Sequence, residues 1–247
     1  MLERSHLAHL ITCILAVYVG VRTLRLWRRT RMIPELSIGV SVLSLAIGGV
    51  VFAALGTMKA EHGGELLRGP VLVGIVALTV HLISCYAGTW QVYRAKTGWA
   101  TGLFAAGSLL AVAWAGLAMT ASSTIWWLPL MLLLLRGGGM LWAATEAFRY
   151  SMMLRRRVSL GLAEPMVARR IWLWGVGAGA QTFVIAIVIG CQALHGAALA
   201  DYTAGVYAMA SFGLMGSIAV AFAFFPPRWY IDAIESRASL PIVAEGA

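Results

Sequence analysis

Residues 97–135 read TGWATGLFAAGSLLAVAWAGLAMTASSTIWWLPLMLLLL, thirty-nine positions without a charged side chain. A helix crosses the hydrocarbon core of a bilayer in roughly 20 apolar residues. This run is therefore too long for one crossing and about right for two. The polar stretch Thr120-Ala-Ser-Ser-Thr124 suits a turn between them, and Trp126 and Trp127 follow where amphipathic rings prefer a membrane–water interface.

The rest of the chain repeats the signal. Further charge-free runs lie at 5–21, 36–58, 69–93, 171–200 and 202–227. The 247 residues are 60% hydrophobic and only 12% charged, with a mean hydropathy of +0.83, whereas a soluble domain carries roughly a quarter of its residues as charges. The expected fold is an all-α seven-transmembrane helix bundle with spans near 6–26, 34–57, 70–93, 99–120, 125–149, 171–194 and 203–225. No cleavable leader is expected, because Glu3 and Arg4 stand at the start and no small-x-small site follows before Arg22.

The net charge of +9 would point a soluble protein towards nucleic acid. Here it reads as topology, since Lys and Arg collect in cytoplasmic loops. Fifteen of the nineteen basic residues fall on one side of these spans, three (Arg4, Lys59, Arg68) on the other, and Arg136 lies within a span. The N-terminus is thus expected outside and the C-terminus in the cytoplasm of a bacterial inner membrane, with membrane lipid as the surrounding partner and no nucleic acid. After Pro226-Pro227, Tyr230, Ala233 and Ile234 recur at helical spacing opposite Asp232, Glu235 and Arg237. That pattern predicts a short interfacial helix opening the cytoplasmic segment 228–247.

Echoes within the chain point to a repeat. The first and fifth spans end in Arg clusters, each leading to a Pro–Glu pair (Pro34-Glu35; Glu164-Pro165), and His62-Gly-Gly is matched by His195-Gly-Ala. Two parallel triple-helix units joined by the fourth span would produce this arrangement, which some transporters use. Ser37, Ser41, Ser44 and Gly48, with Gly175 and Gly179, supply the small-residue spacing that lets helices approach closely.

Charge in mid-membrane is costly and needs a reason. Arg136 lies roughly 16 Å below the outer start of its span at 1.5 Å per residue, and Gly137-Gly138-Gly139 follows it. Counting along the other helices brings His81, Gln181 and Ser44 to the same depth, and Ser211 somewhat shallower. All ten carboxylates map to loops, tails or span ends, with Glu146 expected to pair with Arg149 or a cytoplasmic Arg. An arginine without a protein counter-ion suits a small anionic or amphiphilic ligand. The candidate ligand-binding set is Arg136, His81, Gln181, Ser44 and Ser211. The competing reading makes Arg136 a structural cross-link to helix carbonyls, Gln181 or Ser44.

Other chemistries find less support. His6, His9, His62 and His195 gather at the outer end with Glu61, Glu65 and Asp201, but in no HxxxH or HExxH spacing, so a metal-dependent hydrolase is only a second alternative. His81 is alone at its depth, leaving haem no second ligand; no metal or cofactor is expected. Cys13, Cys85 and Cys191 all sit in apolar runs and read as small hydrophobes.

Seven spans with an external N-terminus make the topology similar to microbial rhodopsins and G-protein-coupled receptors. Retinal chemistry needs a lysine in the seventh span, and 202–225 holds none. Thr30-Arg-Met-Ile-Pro-Glu-Leu36, Arg155-Arg-Arg-Val-Ser-Leu-Gly-Leu-Ala-Glu-Pro165 and Phe224-Phe-Pro-Pro-Arg-Trp-Tyr230 resemble an uncharacterised group of bacterial seven-span membrane proteins. The resemblance implies architecture and transfers no activity. The leading expectation is therefore binding or transport of a small anionic or amphiphilic molecule. The alternative is a receptor-like or accessory subunit docking a protein partner through the cytoplasmic loop 150–170.

Overall fold

The computed structural model describes residues 2–62, 68–120, 127–195 and 203–238, all but a few of them helical. Eight α-helices follow in order: α1 (Leu2–Thr30), α2 (Ile33–His62), α3 (Arg68–Thr89), α4 (Gly98–Thr120), α5 (Trp127–Ser159), α6 (Pro165–His195), α7 (Thr203–Phe224) and α8 (Arg228–Ala238). A single π-helical turn, Trp90–Arg94, prolongs α3. The thirty-nine-residue run breaks as expected: α4 stops at Thr120 and α5 starts at Trp127, with the polar turn itself outside the described residues.

Six of the helices among the described residues (α2 to α7) are long and apolar enough to cross a membrane. Their outward faces carry large apolar side chains, such as Leu109 at 71% and Phe183 at 60% exposure. Such a surface needs lipid, because soluble proteins rarely expose contiguous apolar area on this scale. The protein is an integral membrane protein with several spans. The expected first span, 6–26, falls inside α1, but the side chains of residues 1–10 lie outside the described set, as do those of His6, His9, His62 and His195.

Helix pairing gives the bundle its shape. Consecutive helices pack as α1–α2–α3 and as α5–α6–α7; α7 returns to α1, and α3 meets α5 directly. Exchanging α1 with α5, α2 with α6 and α3 with α7 maps this list of pairs onto itself. Six helices thus form a closed ring of two three-helix units, while α4 packs outside against α3, its π turn and α5.

Small residues decide how closely these helices approach. A Cβ on Gly177 of α6 would stand 2.5 Å from Val220 Cγ2 and 3.2 Å from the Gly216 carbonyl of α7, and one on Gly39 of α2 would stand 2.9 Å from Leu24 of α1. In the half nearer the α4–α5 turn, Ile75, Leu78, Leu82, Trp114 and Leu135 fill the space between α3, α4 and α5. In the other half, near the Arg clusters, the ring is hollow.

The Arg-rich end is cross-linked by polar and aromatic contacts. Arg94, at the close of the π turn, forms a 2.9 Å ion pair with buried Glu146 of α5, a partner from the Arg-rich end rather than Arg149. Tyr93 meets Tyr150 edge-on beside it. At the opposite junction the Arg22 guanidinium of α1 lies 4.6 Å from the Phe225 ring centroid and bonds Tyr18. Helix α8 forms where the Pro pair predicts it and is tied to α6 by Arg169 Nε donating to Tyr230 Oη at 2.9 Å.

Candidate functional site

The hollow half of the ring is a cavity of about 350 Å³, within the size range of small-molecule sites. Its mouth is framed by Leu26, Pro34, Glu35, Tyr93, Arg170 and Phe224, all at the Arg-rich helix ends. From there it runs up α1 to Thr12, α2 to Leu45, α3 to His81, α6 to Gln181 and α7 to Gly216. At 1.5 Å per residue, the eleven steps from Arg170 to Gln181 make it roughly 16 Å deep. Helix α5 contributes Met140, and α4 contributes nothing.

The walls are mostly aliphatic, with Glu35, Tyr93 and Arg170 at the mouth and a second set of polar groups towards the inner end. His81 is 1% exposed, and its Nδ1 lies 3.0 Å from both the carbonyl oxygen and the Oγ of Ser41. A carbonyl only accepts, so Nδ1 carries the proton, and the neutral ring leaves Nε2 as a bare acceptor. That Nε2 is buried with no partner. Gln181 Oε1 accepts from Arg136 Nη2 at 2.9 Å. Arg136 has only donors, so this contact fixes the amide: its oxygen faces Arg136 and its NH2 faces away, on the side where Gly216 approaches. Ser84 and Cys85 of α3 and Ser217 of α7 also line this end.

Arg136 itself stands one helical turn above Met140 and does not line the cavity. It is half-buried, with Nε unpartnered. Of the five expected residues, the structure puts Arg136 and Gln181 in contact, and Gln181 and His81 line the same cavity. The other two stand apart. Ser44 is half-buried and does not line the cavity, because three residues turn it about 60° from Ser41, which takes the contact with His81 instead. Ser211 is exposed on the outer face of α7; Ser217, six residues on and about 240° round the helix, lines the cavity.

Residue spacing alone left open which of these groups face one another, and the helix rotations that decide it are seen only in the packed bundle. Ser41 was visible as part of the small-residue stripe of α2. Ser84 and Ser217 gave no signal apart from being hydroxyls in apolar spans, and Cys85 read as packing. Among the described residues no group of three or more metal-ligating side chains occurs. The arrangement can bind, through an acceptor at His81 and a donor at Gln181. Compared with family models, curated proteins and solved structures, the chain matches none of them.

Proposed function

We propose that this protein is a seven-span bacterial inner-membrane protein that binds, and moves across the membrane, a small amphiphilic molecule held in the central cavity. In this reading α1 serves as the first span, the N-terminus is outside, and the Arg-rich mouth opens to the cytoplasm. The fifteen basic residues on that side support the orientation. Packing of α1 between α2 and α7 supports its place in the bundle. The resemblance to bacterial seven-span proteins agrees with the setting.

One observation carries the ligand reading: a cavity between the helices of both three-helix units, with mostly apolar walls and the buried, unpartnered His81 Nε2 at its inner end. Empty apolar space between helices forfeits dispersion contacts, and an orphaned buried acceptor costs about 1–3 kcal/mol. A molecule with an apolar body and a polar head relieves both. Arg136, which has no carboxylate at its depth, stands outside the cavity lining and reaches it through Gln181.

The test is native mass spectrometry of gently extracted protein, wild type beside Ser84→Trp, which fills the cavity without breaking a bond. A discrete bound mass in the wild type, absent from an equally stable variant, is the expected result. Bare protein in both would refute the reading.

A second reading, an accessory subunit, is favoured by the length of α5. Its 33 residues extend about 50 Å, well past a hydrocarbon core of roughly 30 Å, and Leu160 and Leu162 beyond it are 71% and 74% exposed. On that reading a co-purifying protein is lost when Arg155, Arg156 and Arg157 are changed to Gln.

A further inference from the structure

The proposed ligand has a head whose chemistry the inner end of the cavity specifies further. Three facts bear on it. His81 Nδ1 is spent on Ser41, leaving Nε2 buried as an unpartnered acceptor. Gln181 Oε1 is spent on Arg136, leaving its NH2 as a donor. Arg136, the only charged side chain within the spans at this depth among the described residues, reaches the cavity through that amide rather than lining it.

A carboxylate or phosphate fits this set poorly. Either would satisfy the Gln181 donor, but neither brings a proton for His81 Nε2, and the lone pair would face an anion. A group that accepts and donates at once satisfies both. We infer that the cavity selects an uncharged head of this kind, a hydroxyl or primary carboxamide on an apolar body, and that Arg136 is a positioning residue that aims the Gln181 amide. This inference rests on the cavity being a ligand site, and its test separates the two.

The probes are 2-naphthalenemethanol, which donates and accepts; its methyl ether, which only accepts; and 2-naphthoate, which is charged and only accepts. Affinities are measured for the full chain in lipid nanodiscs, with empty discs subtracted. The alcohol is expected to bind roughly tenfold more tightly than the ether or the naphthoate, the scale set by leaving one buried acceptor unmet. His81→Asn keeps a donor for the Ser41 carbonyl and removes the distal acceptor, so alcohol and ether become equal. Gln181→Glu keeps the Arg136 contact and removes the donor, so both weaken together. Arg136→Lys, which still donates to Oε1, retains the preference for the alcohol, and Arg136→Leu loses it.

Equal binding of alcohol and ether to the wild type would overturn the inference while the cavity reading stands. Tightest binding by naphthoate, abolished in Arg136→Leu, would overturn it in favour of direct charge recognition. Equal loss in Arg136→Lys and Arg136→Leu would overturn the positioning role. No binding by any probe would overturn inference and cavity reading together.

Discussion

The charged residues within the bundle are few, and each has a distinct environment. Glu146 is buried and paired; Arg94, its partner, keeps 26% side-chain exposure and leaves Nε unpartnered. The pair belongs between exposed salt bridges, worth up to about 1 kcal/mol, and fully buried ones, where removing one partner costs about 3–5 kcal/mol. Glu146→Gln is therefore expected to destabilise the protein by roughly 2 kcal/mol in denaturant unfolding from mild detergent, and replacing both residues with Leu should recover much of that loss. An unchanged unfolding midpoint in Glu146→Gln would show the contact to be dispensable. At this scale the sequence was informative about cost: Arg136, His81 and Gln181 stand out because such groups are expensive among apolar residues. It was silent about direction. Whether Ser41 or Ser44 meets His81 depends on a rotation of about 60°, and that rotation is set by packing against α1 and α3 rather than by anything in residues 37–48.

Among the helices, close approach is the controlling variable. The α6–α7 contact relies on Gly177, where an added Cβ meets Val220 and the Gly216 carbonyl; backbone on one side leaves little room to yield. Gly177→Val is expected to lower the thermal midpoint by several degrees, from overpacking that typically costs about 1–3 kcal/mol. It should also disturb the cavity, since Gly177 and Val220 both line it. A variant as stable as wild type would mean the two helices separate without penalty. Helix existence was legible throughout, because runs of apolar residues bounded by charge leave no alternative in a bilayer. Helix ends were less so. The fifth span was expected to finish near 149, yet α5 continues to Ser159, because backbone hydrogen bonding does not stop where the membrane does. Just beyond its end Gly161, with a φ of +70°, lets the Leu162 N–H close on the Arg157 carbonyl at 2.8 Å.

For the molecule as a whole, the sequence supplied the class and a faint trace of repetition, whereas the ring came from pairing that no single stretch encodes. The direct contact of α3 with α5 is the decisive case. It closes the ring, excludes α4 from the interior and creates the cavity, yet it depends on two helices separated by a complete crossing. The position of α4 also bears on ancestry. A segment that crosses a membrane three times ends on the opposite side from where it began, so a second copy fused directly to the first would enter upside down. One additional crossing restores the direction. If α1 also crosses the membrane and the two units descend from a doubled gene, α4 is the adaptor that made their fusion possible, and selection on it concerns fit against its neighbours, since it contributes nothing to the cavity. Its sequence should then drift faster than that of the other six, and a lineage carrying the unit as a separate three-helix chain that pairs with itself would have no counterpart of residues 98–120 at all.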